Sequence, residues 1–122
     1  ITATPPNREI NKSALGATES VKWQYFEHTL QAIEKLRNDG YTIVAVEQAS
    51  GSIDLESYSH NPSAKVALVF GNEVNGVSDD VMEVVDVCIE IPQFGTKHSF
   101  NVSVTAAIVM YQFFIKLKKK LL

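Results

Sequence analysis

The chain has 122 residues, of which 45% are hydrophobic and 20% charged, and this length and composition suit a single compact globular domain. A single cysteine excludes an internal disulfide, and since no apolar run is long enough to cross a bilayer and no secretory signal is found, we expect a cytoplasmic protein. The net charge of −3 argues against a surface that binds polyanions generally, so any contact with nucleic acid must be local, shared with a partner subunit or supplied by further sequence.

The first forty residues predict a loop followed by a helix. Residues 1–20 contain two prolines and one glycine but few apolar side chains, which indicates a connecting loop with one helical turn. Apolar residues then recur at spacings of three and four from Tyr25 to Leu36, which predicts a helix that ends at residues 38–40 (Asn-Asp-Gly).

Two buried strands and a polar loop between them come next. Residues 41–47 (YTIVAVE) are almost wholly apolar, as in a strand covered on both faces. Residues 49–63 are rich in Ser, Gly and Asn and predict a loop, with a short helical turn at residues 53–55. Residues 66–70 (VALVF) predict the second buried strand, and the loop at 71–76 (GNEVNG) that follows needs the conformational freedom of glycine at both ends.

The remaining residues predict a short helix, a third strand and a long helix. Ser78 can cap a short helix that begins with Asp79 and Asp80. Residues 87–91 (VCIEI) predict a strand, and residues 102–120 predict the final helix. We place six residues on the inward face of this helix: Val104, Ala107, Ile108, Tyr111, Phe114 and Ile115.

Short apolar strands that alternate with helices predict an α/β fold with a mainly parallel sheet flanked by helices. In such sheets, ligands bind at the loops beyond the C-terminal ends of the strands. Three loops qualify, at residues 47–51, 71–76 and 92–103, and each directly follows a predicted strand. Their convergence predicts a ligand-binding site.

Two of these loops have both a functional and a purely structural interpretation. The glycines of the 71–76 loop could admit a ligand close to the backbone while Asn72 and Glu73 orient a polar group, or the loop could be a tight turn with solvated side chains. Residues 99–103 (SFNVS) could gather hydroxyl, amide and helix N–H groups around a ligand, or cap the final helix. The absence of a glycine-lysine phosphate loop argues against a nucleotide-phosphate site.

Taken together, the two loops resemble signature motifs of a known family. Residues 68–78 (LVFGNEVNGVS) are similar to the second motif of the SpoU/TrmH RNA ribose methyltransferases. Residues 91–112 (IPQFGTKHSFNVSVTAAIVMYQ) resemble the third motif, which usually reads Ile-Pro, a short glycine loop and Ser-Leu-Asn-Val-Ser-Val-Ala. Residues 4–23 look like the linker that follows the family's first motif, so the resemblance covers nearly the whole chain.

This resemblance implies a single domain of the SPOUT class over residues 1–122, with a trefoil knot formed by its C-terminal segment. It also implies S-adenosylmethionine as the cofactor, bent inside the knot and held largely by backbone groups of the three loops. The residues that match the family's cofactor-binding positions are Glu47, Gly71, Ile91, Gln93, Ser99 and Phe100. The residues that match its polar active-site positions are Glu73, Asn101 and Ser103. Family members are homodimers with active sites near the interface, and the last helix is a usual part of that contact.

The implied activity is methyl transfer to a ribose 2′-hydroxyl of transfer or ribosomal RNA, without a metal or a membrane. Two departures from the family pattern bear on it: Phe100 replaces the commoner leucine, and the first motif, with the arginine that activates the hydroxyl, would lie upstream of Ile1. Arg8 lies downstream of that position and does not take its role. Because the chain also opens without an initiator methionine, we expect an N-terminally incomplete domain that binds cofactor and transfers methyl poorly.

Two alternatives stay open. The first is a non-catalytic SPOUT-like module that binds RNA or cofactor, which the missing first motif favours. The second is an unrelated flavodoxin-like domain for a different nucleotide, against which the motif at residues 99–103 argues.

Overall fold

The computed structural model describes residues 4–95 and 100–121, with the side chains of 119–121 excepted. Its helices and strands alternate as an α/β fold requires. In chain order they are α1 Arg8–Ala14, α2 Ala17–Ser20, α3 Thr29–Asn38, β1 Tyr41–Val46, β2 Ile53–Asp54, β3 Lys65–Phe70, α4 Asp79–Met82, β4 Val87–Glu90 and α5 Val102–Leu121.

The four strands form one sheet in the order β2-β4-β1-β3. Every neighbouring pair is parallel, and β1 pairs with β3 along its whole length, from Tyr41 opposite Lys65 to Val46 opposite Phe70. The parallel α/β fold is therefore confirmed, and the carboxyl ends of β1, β3 and β4 lie at one edge of the sheet. The trefoil knot depends on the path of residues 93–101, part of which lies outside the described residues, and it stays a prediction.

The core lies on both faces of the sheet because β1 sends alternate side chains to opposite sides. On one face, Val44 packs with Ile89 of β4 and Phe113 of α5. On the other, Ile43 packs with Ile33 of α3 and Val81 of α4. Each such side chain stabilises the fold by about 1.5–3 kcal/mol when it is fully buried. The prediction of a strand covered on both faces is confirmed.

The predicted inward face of α5 is wrong. Val104 (47% exposed), Ile108 (39%), Tyr111 (65%) and Phe114 (57%) point to solvent, and of the six residues placed there only Ile115 is partly buried. The residues that face the sheet are offset around the helix and include the fully buried Val109. The reason is that α5 carries apolar residues around most of its circumference, so their spacing alone does not select one stripe. Within the described part of the chain, none of the helices combines the length and the hydrophobicity that crossing a lipid bilayer requires.

Two smaller predictions also need correction. Residues 53–54 form β2 instead of a helical turn, because Ile53 lies opposite Ile89 and extends the sheet beyond β4. The opening segment contains two helices where one turn was predicted, and Asn7 caps the first by accepting hydrogen bonds from the N–H groups of Glu9 and Ile10.

Helix α3 begins at Thr29, after the aromatic residues at 25 and 26, because His28 is extended and its N–H donates to the Gln31 side chain. Its predicted end is confirmed: the helix stops at Asn38, and Gly40 follows with a φ of +84°. Ser78 occupies the N-cap position of α4 as predicted, but its hydroxyl makes no capping hydrogen bond.

Lys116 fastens α5 to the segment that follows β2. Its Nζ donates hydrogen bonds to the carbonyl oxygens of Leu55 (2.8 Å), Glu56 (2.9 Å) and Tyr58 (2.6 Å). All three ammonium donors are thus used, and burial lowers the pKa of the Lys116 amine. The ring centroids of Tyr58 and Phe113 also lie 5.8 Å apart. Both hydrogen bonds and aromatic packing therefore hold α5 against the segment that follows β2.

We expect Lys116→Met to lower the free energy of unfolding by about 2 kcal/mol, because three carbonyls lose a charged donor while the apolar stem is kept. Urea denaturation measures the change. Lys118→Met is the matched control, since the Lys118 side chain is exposed on the same helix. Equal stability of the two variants would contradict the role of Lys116.

Candidate functional site

A cleft of about 540 Å³ opens at the sheet edge where β1, β3 and β4 end. Its walls come from the three loops that follow these strands and from the first turns of α5. The lining residues are Val46–Ala49, Phe70–Val77, Asp79, Met82, Glu90, Ile91, Gln93, Phe100, Val102 and Thr105. The volume lies within the range of roughly 300–1,000 Å³ that small-molecule sites occupy.

The structure brings six of the nine predicted site residues together at this cleft. They are Glu47, Gly71, Glu73, Ile91, Gln93 and Phe100. Asn101 and Ser103 stand next to the lining residues of α5 but do not themselves line the cleft. Ser99 lies outside the described residues. No observation tests the roles assigned to these residues, and those roles stay predictions.

The loop at residues 71–77 depends on its two glycines for different reasons. A Cβ at Gly71 would overlap the backbone of Gly76 and Val77, so this glycine is needed for a close approach and not for an unusual φ. Gly76 has a φ of +65°, and a Cβ there would also overlap the carboxylate of Glu47. The sequence prediction of glycine freedom at both ends therefore holds for Gly76, while at Gly71 the constraint is packing.

Asn72 shapes the same loop from within. Its Oδ1 accepts hydrogen bonds from the N–H groups of Val74 (2.9 Å) and Asn75 (2.8 Å), and its carbonyl accepts one from Gly76 N at 3.0 Å. This is the Asx-turn geometry that Asn favours. The Asn72 side-chain oxygen is thus used within the turn, while the exposed side chains of Glu73 and Asn75 are further polar groups at this wall.

Glu47 connects the end of β1 with β4 and with the 71–77 loop. Its carboxylate accepts hydrogen bonds from Val77 N (2.9 Å) and from its neighbour Gln48 N (3.0 Å). Its backbone N–H donates to the Ile89 carbonyl, and its own carbonyl accepts from the Cys88 thiol at 3.4 Å. Burial raises the pKa of that thiol.

Asn101 caps α5. Its carbonyl accepts a hydrogen bond from Thr105 N at 3.0 Å, and its Oδ1 accepts from Ser103 N at 2.9 Å and from the Ser103 hydroxyl. The described residues of the 99–103 segment thus cap the final helix, which was the structural interpretation of this segment. It is compatible with ligand contact, because the cap holds the start of α5 against the cleft that Val102 and Thr105 line.

The cleft is acidic. Four carboxylates line it, from Glu47, Glu73, Asp79 and Glu90, and no lysine, arginine or histidine is found among its lining residues in the described chain. Glu90 was not among the predicted site residues, although a charged residue within the otherwise apolar strand VCIEI was an available signal. An acidic lining favours a neutral or cationic ligand and disfavours phosphate groups.

Comparison with known proteins places these features in a family context. Residues 1–111 match the model of the SpoU rRNA Methylase family. The chain is 37% identical over 105 residues to a tRNA (guanosine(18)-2'-O)-methyltransferase of Borreliella burgdorferi, which covers 86% of this chain and 47% of that protein. It is 35% identical over 104 residues to the 23S rRNA (guanosine-2'-O-)-methyltransferase RlmB of Neisseria meningitidis, covering 85% of this chain and 40% of that protein. The chain therefore spans less than half the length of these curated relatives.

Solved structures agree in fold. The A. aeolicus TrmH/SpoU tRNA modifying enzyme superposes with a TM-score of 0.80 at 28% identity, covering 90% of this chain and 55% of that one. The AdoMet-bound rRNA methyltransferase from Sinorhizobium meliloti superposes with a TM-score of 0.84 at 25% identity, covering 93% of this chain and 42% of that one.

We expect Gly71→Ala to destabilise the protein by about 2 kcal/mol, or roughly 8 °C in Tm, because its methyl group must push the two ends of the loop apart. Gly95→Ala is the control, since a Cβ at Gly95 meets no atom within 4 Å. Thermal unfolding followed by circular dichroism compares the two. Unchanged Tm in both variants would show that the loop ends are not closely packed.

Proposed function

The chain belongs to the SpoU rRNA Methylase family, and from this membership we propose that it transfers a methyl group from S-adenosylmethionine to a ribose 2′-hydroxyl of transfer or ribosomal RNA. The observation that carries the proposal is the acidic cleft at the ends of three parallel strands, where Glu47 and five residues of the family's second and third motifs meet. The names of the relatives agree with this chemistry, since both are guanosine 2′-O-methyltransferases.

The residues of the cleft suit S-adenosylmethionine. The cofactor carries its methyl group on a positively charged sulfur, and the lining carboxylates favour a positive charge. A phosphate-bearing nucleotide has no such sulfur and carries negative charge instead. Phe100 and Ile91 supply apolar surface for an adenine ring, and the backbone of the 71–77 loop offers polar groups at a close approach that Gly71 and Gly76 permit.

Catalysis by this chain consists mainly of positioning. We assign Asn101 and Ser103, beside the cleft, to orienting the ribose or its phosphate, and Glu73 to organising the pocket wall. Holding the ribose oxygen in line with the methyl group removes most of the entropic part of the barrier. The hydroxyl proton must also be lost, and a base or cation eases that step. Arg8 lies on α1 and is not among the residues that line the cleft, and we do not assign it this role.

The described lining of the cleft offers no basic side chain for binding RNA. Phosphates bind Lys and Arg, and the described lining contains neither, while the net charge of the chain is −3. We therefore look for the basic contacts for RNA beyond the described lining residues, including on other surfaces, in a partner subunit or in further sequence.

The protein works as a homodimer in this proposal. The outer face of α5 carries Val104, Ile108, Tyr111 and Phe114 at helical spacing, all of them exposed. A contiguous apolar stripe of this kind favours burial against another surface. Because the same helix begins at the cleft, a second copy packed on this stripe would place the two sites near the interface.

Calorimetric titration of the chain tests the proposed cofactor by measuring which ligands bind. We expect S-adenosylmethionine to bind and ATP not to bind, because the four carboxylates repel the triphosphate. Phe100→Ala should weaken binding about tenfold, since an aromatic contact is lost. Phe94→Ala is the matched control: Phe94 is 98% exposed and does not line the cleft, so its loss should leave the affinity unchanged.

Absence of S-adenosylmethionine binding by the folded chain would contradict the proposed cofactor. Where binding is found, incubation with labelled cofactor and either transfer or ribosomal RNA separates the enzyme from the non-catalytic module. Incorporation of label as a 2′-O-methylated nucleotide, detected by mass spectrometry of the digested RNA, supports the enzyme. Binding without incorporation supports the module.

The dimer prediction concerns the outer face of α5. We expect Tyr111→Glu to convert a dimer into a monomer, because it introduces a charge into the apolar stripe. Analytical ultracentrifugation measures the mass. Asn38→Glu, on α3 at the opposite face of the sheet, adds the same side chain and should leave the dimer intact. A wild-type chain that is monomeric at high concentration would contradict the proposal.

A further inference from the structure

We propose that Glu47 is a positioning residue, whose carboxylate holds the 71–77 loop in the shape that the ligand requires, and that it acts through Val77 instead of through contact with the ligand. The part of the inference that concerns ligand affinity rests on the proposed function above. The part that concerns the loop stands on the ligand-free structure.

The first step is that Glu47 is itself firmly anchored. Its backbone N–H donates to Ile89 of β4, its carbonyl accepts from the Cys88 thiol, and it directly follows the buried end of β1. Since β1 lies at the centre of the sheet, the Cα of Glu47 occupies a fixed point at the sheet edge.

The second step is that both carboxylate oxygens are used by the protein. Oε1 accepts from Gln48 N at 3.0 Å, and Oε2 accepts from Val77 N, 30 residues further along the chain, at 2.9 Å. A carboxylate bound to backbone N–H groups makes strong, directional hydrogen bonds. Glu47 therefore ties the far end of the 71–77 loop to the end of β1.

The third step is that the loop is stiff, so one attachment sets its position. The Asn72 side chain closes the turn from within, and Gly71 packs against the backbone of Gly76 and Val77. The Gly76 position lies directly against the Glu47 carboxylate, and any side chain there would displace Oε2. Every residue of the 71–77 loop lines the cleft, so displacement of the loop changes the cleft as a whole.

The test begins with amide hydrogen exchange at Val77, measured by NMR in the ligand-free chain. We expect Glu47→Ala to speed this exchange by about tenfold, because the hydrogen bond that protects the amide is lost. Glu47→Gln, which keeps one acceptor oxygen, should give an intermediate rate. Glu73→Gln removes a carboxylate from the 71–77 loop itself and should leave the rate unchanged, since the Glu73 side chain is exposed.

A double variant tests whether the two residues form one contact. Gly76→Ala should speed Val77 exchange because its methyl displaces Oε2. The pair Glu47→Ala with Gly76→Ala should then exchange at the rate of Gly76→Ala alone, since the same hydrogen bond is already broken. Rates that multiply in the double variant, or a Glu47→Ala variant with unchanged exchange, would overturn the proposal.

Titration with S-adenosylmethionine completes the test. We expect Glu47→Ala to weaken binding about tenfold, which corresponds to about 1.4 kcal/mol, because binding must then order the loop. Reduced affinity with unchanged Val77 exchange would mean that Glu47 contacts the ligand directly, and would overturn the proposal. If the wild-type chain does not bind S-adenosylmethionine, the exchange results decide the role of Glu47 independently of the proposed function.

Discussion

Parallel pairing of β1 with both of its neighbours is the constraint on which the rest of the molecule depends. It brings the carboxyl ends of β1, β3 and β4 to the same edge of the sheet, where each strand leaves backbone groups that need partners. Glu47 meets this need through hydrogen bonds to residues of two other segments, Ile89 and Val77. The shape of the cleft thus follows from the hydrogen bonds that the backbone groups at the strand ends form.

The site is built more from backbone than from chemically reactive side chains. Gly71 permits two backbone segments to touch, Gly76 adopts a φ that other residues rarely adopt, and Asn72 closes the turn between them. A wall of this kind is rigid and can present polar backbone groups to a ligand at short range. The carboxylates around it favour a neutral or cationic ligand over an anionic one.

Helix α5 links the site to the remainder of the fold. Asn101 caps its first turn beside the cleft, Val109 is buried against the sheet, and Lys116 fixes its second half to three carbonyls. These attachments leave a second apolar stripe facing outward. Because both stripes are apolar, one helix can serve the core and a subunit contact at the same time.

Much of the fold and most of the cleft could be predicted from the sequence, because local residue patterns determine them. The apolar β-branched run of β1, the glycines of the 71–77 loop and the motif at the start of α5 predicted the parallel sheet and the edge at which the cleft opens. Such features depend on residues close together along the chain, whose conformational preferences act wherever the segment lies.

Only the tertiary structure decided which side of α5 faces the sheet, that residues 53–54 are a strand, and what the Glu47 carboxylate contacts. Each depends on partners distant in sequence: the β4 edge for Ile53, the carbonyls after β2 for Lys116, and Val77 for Glu47. An apolar helix has no stripe that its own sequence prefers, and a carboxylate at a strand end has no partner until the neighbouring loop is placed. Packing and hydrogen bonding between segments select among options that are equivalent along the chain alone.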